Sequence, residues 1–591
     1  MLGAVAARSR HRIPTGPLRH APGEEDVRRI AMSPRWSRLA GWSLALLPCA
    51  VLAQAVPPAQ GAFLLDAPMG EAVARDMLGR FGFGATVADM QRAARLTPRA
   101  YIDEGIHGAS ALPDAVAARI AALPAAGPLM PVWERLGVGS GARAGLRDDP
   151  EARQAIQREE RQFVQGAVQA RLLAMANSPN QAHEALLAFW LNHFSIFGAK
   201  NFDRLLAYDY ARAVEAAMRE DSFEALLRAS FYHPAMQFFL DNAQSTAPSS
   251  LAAQMAQQRA MGRGRALGIN ENLARELMEL HTLGVDGGYT QADIQELARI
   301  ITGAGAWSPR MVDANLARAG AVRQGVFLFD PRRHDDGEKH LLGQAFPAGR
   351  GLDEIDRALR LLAQHPATAR HVSRKLALRF LSDAPSEATV NAMTSAWRAS
   401  GGRISAVLAA MMATPEFAAS LASHAKFREP LDQLLATARA ACQGQPIGNG
   451  TFLAVAAMDA GQAPFMRSTP DGYGARESDW FSPAALAKRV RFAMGVAAER
   501  VPLAQGPVHA DGGADMDGAP RPAQVLGQPA ALRERDAERP RFLEGMACRP
   551  DAALVEAALG PLSPATSAAL QNLPPRERVA VLLASPEALR R

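Results

Sequence analysis

The densest run of side chains able to do chemistry lies between Asn270 and Gly284, where Glu276, Glu279 and His281 fall within six positions. Two carboxyls a turn apart, bordering an apolar stripe, suit acid–base exchange or cation binding, because burial and mutual repulsion move their pKa values. Asn270 is a natural N-cap and Gly284 a natural stop, so the run is expected to form one helix of about four turns. At about 100° per residue, Leu273, Leu277 and Leu280 make one stripe, Asn272, Glu276 and Glu279 run along its flank, and His281 falls roughly 140° from Glu276. A shared site therefore requires a second element to fold over the stripe or the helix end. The same spacing has a plainer use: Glu271, Arg275 and Glu279 stand four apart and can form an exposed ion-pair ladder worth about 0.5 kcal/mol per link.

Two further segments carry candidate groups. In His183–Phe197 the aromatic density argues for burial, and His193 beside Asn192 then needs partners inside the protein. Arg332 to Lys339 places His334 next to Asp335, able to supply a ligand or a base, although Asp336-Gly337 reads equally as turn chemistry. Glu276, Glu279, His281 and His193 are thus the catalytic candidates, and Glu276, Glu279, His334 and Asp335 the candidate metal ligands; no cofactor is implied. Several familiar signatures are missing. His183-Glu184 lacks the second histidine of a zinc protease, no Glu-x-x-His follows Glu276 or Glu279, and Gly262, Gly264 and Gly268 miss the dinucleotide spacing.

Ala-, Leu- and Arg-rich segments with helical spacing must position these groups, and β-branched runs of period two are few. The expected fold is all-α, a multi-helix body, with one small β-hairpin near residues 326–343 that joins Val326–Phe329 to His340–Gly343 and turns near Asp336-Gly337. Thr86 with Asp89, and Thr290 with Asp293, have the spacing of helix-opening capping boxes. Residues 501–540, rich in Gly, Pro, Ala and Asp, bury too little apolar surface to offset ordering entropy and read as a flexible insertion. The expected organisation is an N-terminal extension over 1–55, a helical domain over 56–500, that insertion, and a helical segment over 541–591 packed on the main domain.

A pI near 9.5 suggests phosphate binding, but the charge is local. Residues 1–55 hold eight arginines and three acids, and without them the net charge falls from +6 to +1. A near-neutral body with no basic stripe leaves no footprint for a nucleic acid. Residues 32–55 run from Arg35 and Arg38 through an apolar stretch to Ala53-Gln54-Ala55, the order of parts in a secretory signal. Arg28-Arg29 lies too far from the apolar stretch for a twin-arginine signal, so export by the general route to the periplasm or beyond is expected. Met1 and Met32 both stay open as initiators. No other apolar run reaches the roughly 20 residues of a transmembrane helix. Cys442 and Cys548 remain after signal removal, either bridged or as two separate thiols.

The run Asn270–Gln291 closely resembles the Domain of Unknown Function 1800 family of exported bacterial proteins. Further matching stretches are Arg80-Phe81-Gly82-Phe83-Gly84, Trp190-x-Asn192-His193-Phe194, Leu240-Asp241-Asn242, His334-Asp335-x-Gly337-x-Lys339, His365-Pro366-Ala367-Thr368-Ala369-Arg370 and Pro470-Asp471-Gly472-Tyr473. The resemblance implies export, a helical fold and a frequent neighbour from the Domain of Unknown Function 1501 family, itself similar to sulfatases and phosphatases; it brings no catalytic residue with it. The chain departs from the family where Ile301-Thr302-Gly303 leads into Ala304-Gly305-Ala306-Trp307. Two functions follow: a non-catalytic partner that holds a neighbouring envelope enzyme, which is favoured, and a periplasmic enzyme, such as a metal-assisted hydrolase, with a Glu/His site.

Overall fold

The helix Gln181–His193 is apolar on nearly every side, and ten of its thirteen residues are buried. Such a helix is stable only when other elements surround it. The 28-residue helix Pro150–Asn177, capped by Asp149, enters from solvent and buries its second half beside it. The few polar groups of the central helix are paired across the core: Glu184 meets Arg171 at 2.7 Å, and Gln181 Oε1 accepts from the Phe83 amide at 2.9 Å. The computed structural model describes residues 63–143, 149–259, 268–504 and 546–591. These form a predominantly helical body whose apolar core runs from Met69 to Leu583. The stretches read from sequence as an N-terminal signal and, apart from residues 501–504, as an insertion lie outside the described residues. Among the described residues no single helix is long and apolar enough to cross a membrane.

Both capping signals open helices. Thr290 and Asp293 form the reciprocal box at the start of Gln291–Ile300, whereas Thr86 caps Val87–Ala93 while Asp89 turns its carboxylate to Arg439.

The β structure differs from the expected hairpin. Ala304–Ala306 (β1), Val322–Gln324 (β2) and Phe327–Phe329 (β3) form an antiparallel sheet in the order β1-β3-β2, and Lys339–Leu341 (β4) pairs instead with Gln344–Phe346 (β5). The turn sits at Leu342-Gly343, both at positive φ (49° and 76°), as a two-residue hairpin of the right twist requires. Phe327–Phe329 is buried on both faces, so it belongs in the middle of a sheet rather than at the edge of a hairpin. Asp336-Gly337 is consumed locally, Asp335 Oδ1 accepting from the Gly337 amide at 2.9 Å. The stretch that departs from the family is β1. Gly303 enters it at φ 85°, where a Cβ would stand 2.8 Å from the Asp330 carbonyl.

Beyond residue 545, Ala552–Leu559 packs on Pro430–Cys442, and Pro575–Leu583 packs on Pro483–Ala497. Cys442 and Cys548 are joined by a disulfide that closes a separation of 106 residues.

Candidate functional site

The Asn270 run does not stay α-helical. Asn270 Oδ1 accepts from the Asn272 amide at 2.8 Å and opens the helix Asn272–Glu276, but Leu277–His281 is a π turn, so the expected four-turn α-helix is shorter and changes pitch. A π turn leaves carbonyls without their usual partners. Two histidines from elsewhere take them: His371 Nε2 donates to the Leu280 carbonyl at 3.2 Å, and His193 Nε2 to the His281 carbonyl at 3.0 Å. The change of pitch also turns His281 inward, against Phe194 and 6.2 Å ring to ring from His193.

Burial holds all three rings uncharged. It pushes His193 well below its ordinary pKa, His281 down to about 3 and His371 down to about 4, and the charge of Lys375 acts in the same direction on each. His193 Nδ1, both nitrogens of His281 and Trp190 Nε1 have no hydrogen-bond partner among the described residues. Each such buried group costs about 1–3 kcal/mol.

The other candidates lie apart from these rings. Glu279 meets Arg275 at 3.3 Å and Glu271 meets Arg275 at 3.5 Å, so the exposed ladder exists. Among the described residues Glu276 has no ion pair; partial burial and then Glu279 raise its pKa, with Asp471 adding to the rise. His334 and Asp335 belong to a separate network. His334 bonds Glu354 at 2.7 Å and the Thr302 carbonyl at 2.8 Å, Lys339 meets Glu354 at 2.9 Å, and Arg299 forks onto Asp335 at 2.9 and 3.1 Å. An open depression of about 600 Å³ covers this network, yet its acid–base groups are already engaged with one another. Among the described residues no three His, Cys, Asp or Glu side chains are grouped as a metal ion would need, so the four candidate ligands form no such group.

The structure adds a more enclosed space. A cavity of about 260 Å³ opens beside the central helix, with Phe83, Met175, Phe189, Leu378, Leu431 and Phe465 as apolar walls. Asp471, Arg476 and Asp479, at its rim, are exposed. The rim loop is clasped by Asn192, whose Oδ1 accepts from the Tyr473 amide at 2.7 Å and whose Nδ2 donates to the Tyr473 carbonyl at 3.0 Å. Gly472 permits the approach: its φ is 74°, and a Cβ there would meet the Asn192 carbonyl oxygen at 2.3 Å. Asn192 and Ser195 line the cavity, while His193, between them in the chain, faces the aromatic cluster instead.

Lys375 lines this cavity from the helix Pro366–Phe380. Burial lowers its pKa to about 8, against the opposing pull of Asp471. The chain has only five lysines among 65 basic residues. Lys200 meets Asp241, Lys339 meets Glu354, Lys426 meets Asp383 and Lys488 meets Asp459, whereas the Lys375 ammonium has no acceptor within hydrogen-bond distance among the described residues. Local sequence marks Lys375 only by its type, a lysine in a chain that otherwise uses arginine.

A family model described as a protein of unknown function, DUF1800, matches residues 76–590. The chain belongs to the DUF1800 family. No curated protein and no solved structure shows a significant match. Four of the stretches that carried the DUF1800 resemblance meet around the cavity: Phe83 and Asn192 line it, Pro470–Tyr473 forms its rim, and His365–Arg370 begins the helix of Lys375. The Asn270 run reaches the same helix through the bond from His371.

One wall of this DUF1800 cavity is ionic. Arg379, Glu429 and Asp432 line it, with Arg379 2.7 Å from each carboxylate. Behind them Arg591 sits 2.8 Å from Asp432, and its carbonyl accepts from Arg80 at 2.9 Å. Burial opposes ionisation of Asp432, but Arg379 and then Arg591 outweigh it and hold the carboxyl far below its usual range.

Proposed function

We propose that this DUF1800 protein is exported and binds a small organic anion, an apolar body with one carboxylate-like group, in the cavity beside Lys375. One observation carries the reading: the ammonium of Lys375, without an acceptor among the described residues, on a cavity with large apolar walls and one ionic wall whose charges are paired with one another. A partly desolvated cation without a bonded counter-charge is costly, and an entering anion relieves that cost while its apolar part covers the walls. The volume, about 260 Å³, suits a ligand at the small end of the usual range. Ligand binding accounts for this better than a holding role beside a Domain of Unknown Function 1501 enzyme, because a strut needs no open space next to an unpaired charge.

The test is calorimetric titration of the purified protein with straight-chain carboxylates from butanoate to octanoate. One length is expected to bind best, and Lys375→Met to weaken it by about tenfold or more, the worth of a charge-assisted hydrogen bond. Equal binding by Lys375→Met, or no binding along the series, overturns the reading.

Export rests on the signal pattern and is supported by the Cys442–Cys548 disulfide, since such bonds persist in oxidising compartments. Sequencing of the mature protein is expected to begin at Val56. A mature chain that retains residues 32–55 contradicts it.

A further inference from the structure

We propose that Lys375 is an amine nucleophile that forms an imine with an aldehyde or ketone held in the cavity. The proposal rests on the ligand-binding reading and goes beyond it by naming the reacting atom and the carbonyl class of the ligand.

Three features of the structure converge on this residue. First, an amine that attacks carbon must be free of competing acceptors, and Lys375 alone among the five lysines meets that condition within the described residues. Second, the position calls for lysine chemistry. Arginine fills 60 of the 65 basic positions and would supply a fixed charge here, but its guanidinium does not give up a proton at ordinary pH. Third, the surroundings favour the neutral amine. The walls are apolar apart from the Arg379–Glu429–Asp432 cluster, whose charges are bonded to one another; the three imidazoles that feel the Lys375 charge are uncharged, and among the described residues no carboxylate bonds the nitrogen to fix it as an ammonium. Desolvation of a lysine in an apolar pocket is the ordinary route to a reactive amine. Asp471 favours the ammonium but is engaged by Arg467 at 2.8 Å; the other charged groups lining the cavity are Arg379, Glu429 and Asp432, bonded to one another, and Arg476 and Asp479 at the rim.

The chemistry balances without a further reagent. The lone pair of neutral Nζ attacks the carbonyl carbon, and the π pair moves to oxygen, giving a carbinolamine once a proton passes from nitrogen to oxygen. The nitrogen lone pair then expels that oxygen, which leaves as water with both former N–H protons, and a C=N bond joins Nζ to the ligand carbon. Nothing is oxidised or reduced.

The test is reductive trapping. The purified mature protein is incubated with hexanal and cyanoborohydride, digested, and mapped by mass spectrometry at all five lysines. Lys375 is expected to be alkylated about tenfold or more faster than the exposed Lys488, with a rate that rises through pH 8 rather than near the ordinary lysine value. Hexanoate is expected to protect Lys375 and leave Lys488 unaffected. Lys375→Arg keeps the charge, and its map is expected to show no site that reacts faster than Lys488. Modification of Lys375 no faster than Lys488, or without protection by hexanoate, overturns the proposal. If hexanoate binds calorimetrically while Lys375 stays unmodified, the imine falls and anion binding stands; if neither occurs, both fall.

Discussion

Asp432→Asn is expected to destabilise the protein by about 3–5 kcal/mol, the range for removing one partner from a buried ion pair. Asp432 is 2 % exposed and receives Arg379 through two bonds of 2.7 and 2.9 Å, with Arg591 on its other side. Loss of its charge leaves two buried guanidiniums with Glu429 as the remaining nearby carboxylate side chain among the described residues, and Glu429 is already shared with Gln462. Urea denaturation measures the loss. Exchange of both members, Asp432→Leu with Arg379→Met, is expected to cost less than Asp432→Asn alone, because it removes one buried charge of each sign and leaves Glu429 and Arg591 in balance. A change below about 1 kcal/mol for Asp432→Asn would show that the cluster is solvated rather than buried. The same residues form a wall of the cavity, so carboxylate binding is expected to weaken together with stability.

Much of the fold was legible because it depends on local rules. Thr86 and Thr290 announce helix starts through spacing alone, and the aromatic run around Trp190 announces burial through composition. The exposed ladder of Glu271, Arg275 and Glu279 follows from helical geometry in the same way. The candidate site was legible only in part. His281 was placed by assuming 100° per residue, and the π turn at Leu277–His281 breaks that assumption. A π turn is held by partners from outside its own segment, here His193 and His371, which lie 88 and 91 residues away from the carbonyls they bond. The hairpin was misplaced for a similar reason. Phe327–Phe329 pairs on both sides with strands that local pattern does not show. Lys375 is the extreme case: its character comes from what does not surround it, and no run of neighbouring residues encodes that.

Stability is expected to fall steeply as pH drops from about 6.5 toward 5, with the buried histidines as the cause. In the unfolded chain a histidine takes up a proton near pH 6.5. In the folded protein burial holds His281 down to about 3 and His371 down to about 4, with His193 also well below its ordinary value. Above pH 6.5 both states carry neutral rings and the histidines leave stability unchanged. Below it the unfolded state binds protons that the folded state refuses, so each ring costs about 1.4 kcal/mol per pH unit until its folded pKa is reached. From pH 6.5 to 5 that amounts to about 2 kcal/mol per ring. His281→Leu removes one proton from this uptake, so the slope of unfolding free energy against pH should become shallower by about 1.4 kcal/mol per unit. Lys375→Met should act lower in the profile: burial, the larger cause, still keeps the folded pKa values low, but loss of the ammonium's share raises the pH at which the folded rings take up their protons. A profile that stays flat between pH 6.5 and 5 would mean that the rings reach solvent. A profile below pH 5 that Lys375→Met leaves unchanged would place the lysine's charge too far from the histidines for the two to share one electrostatic site.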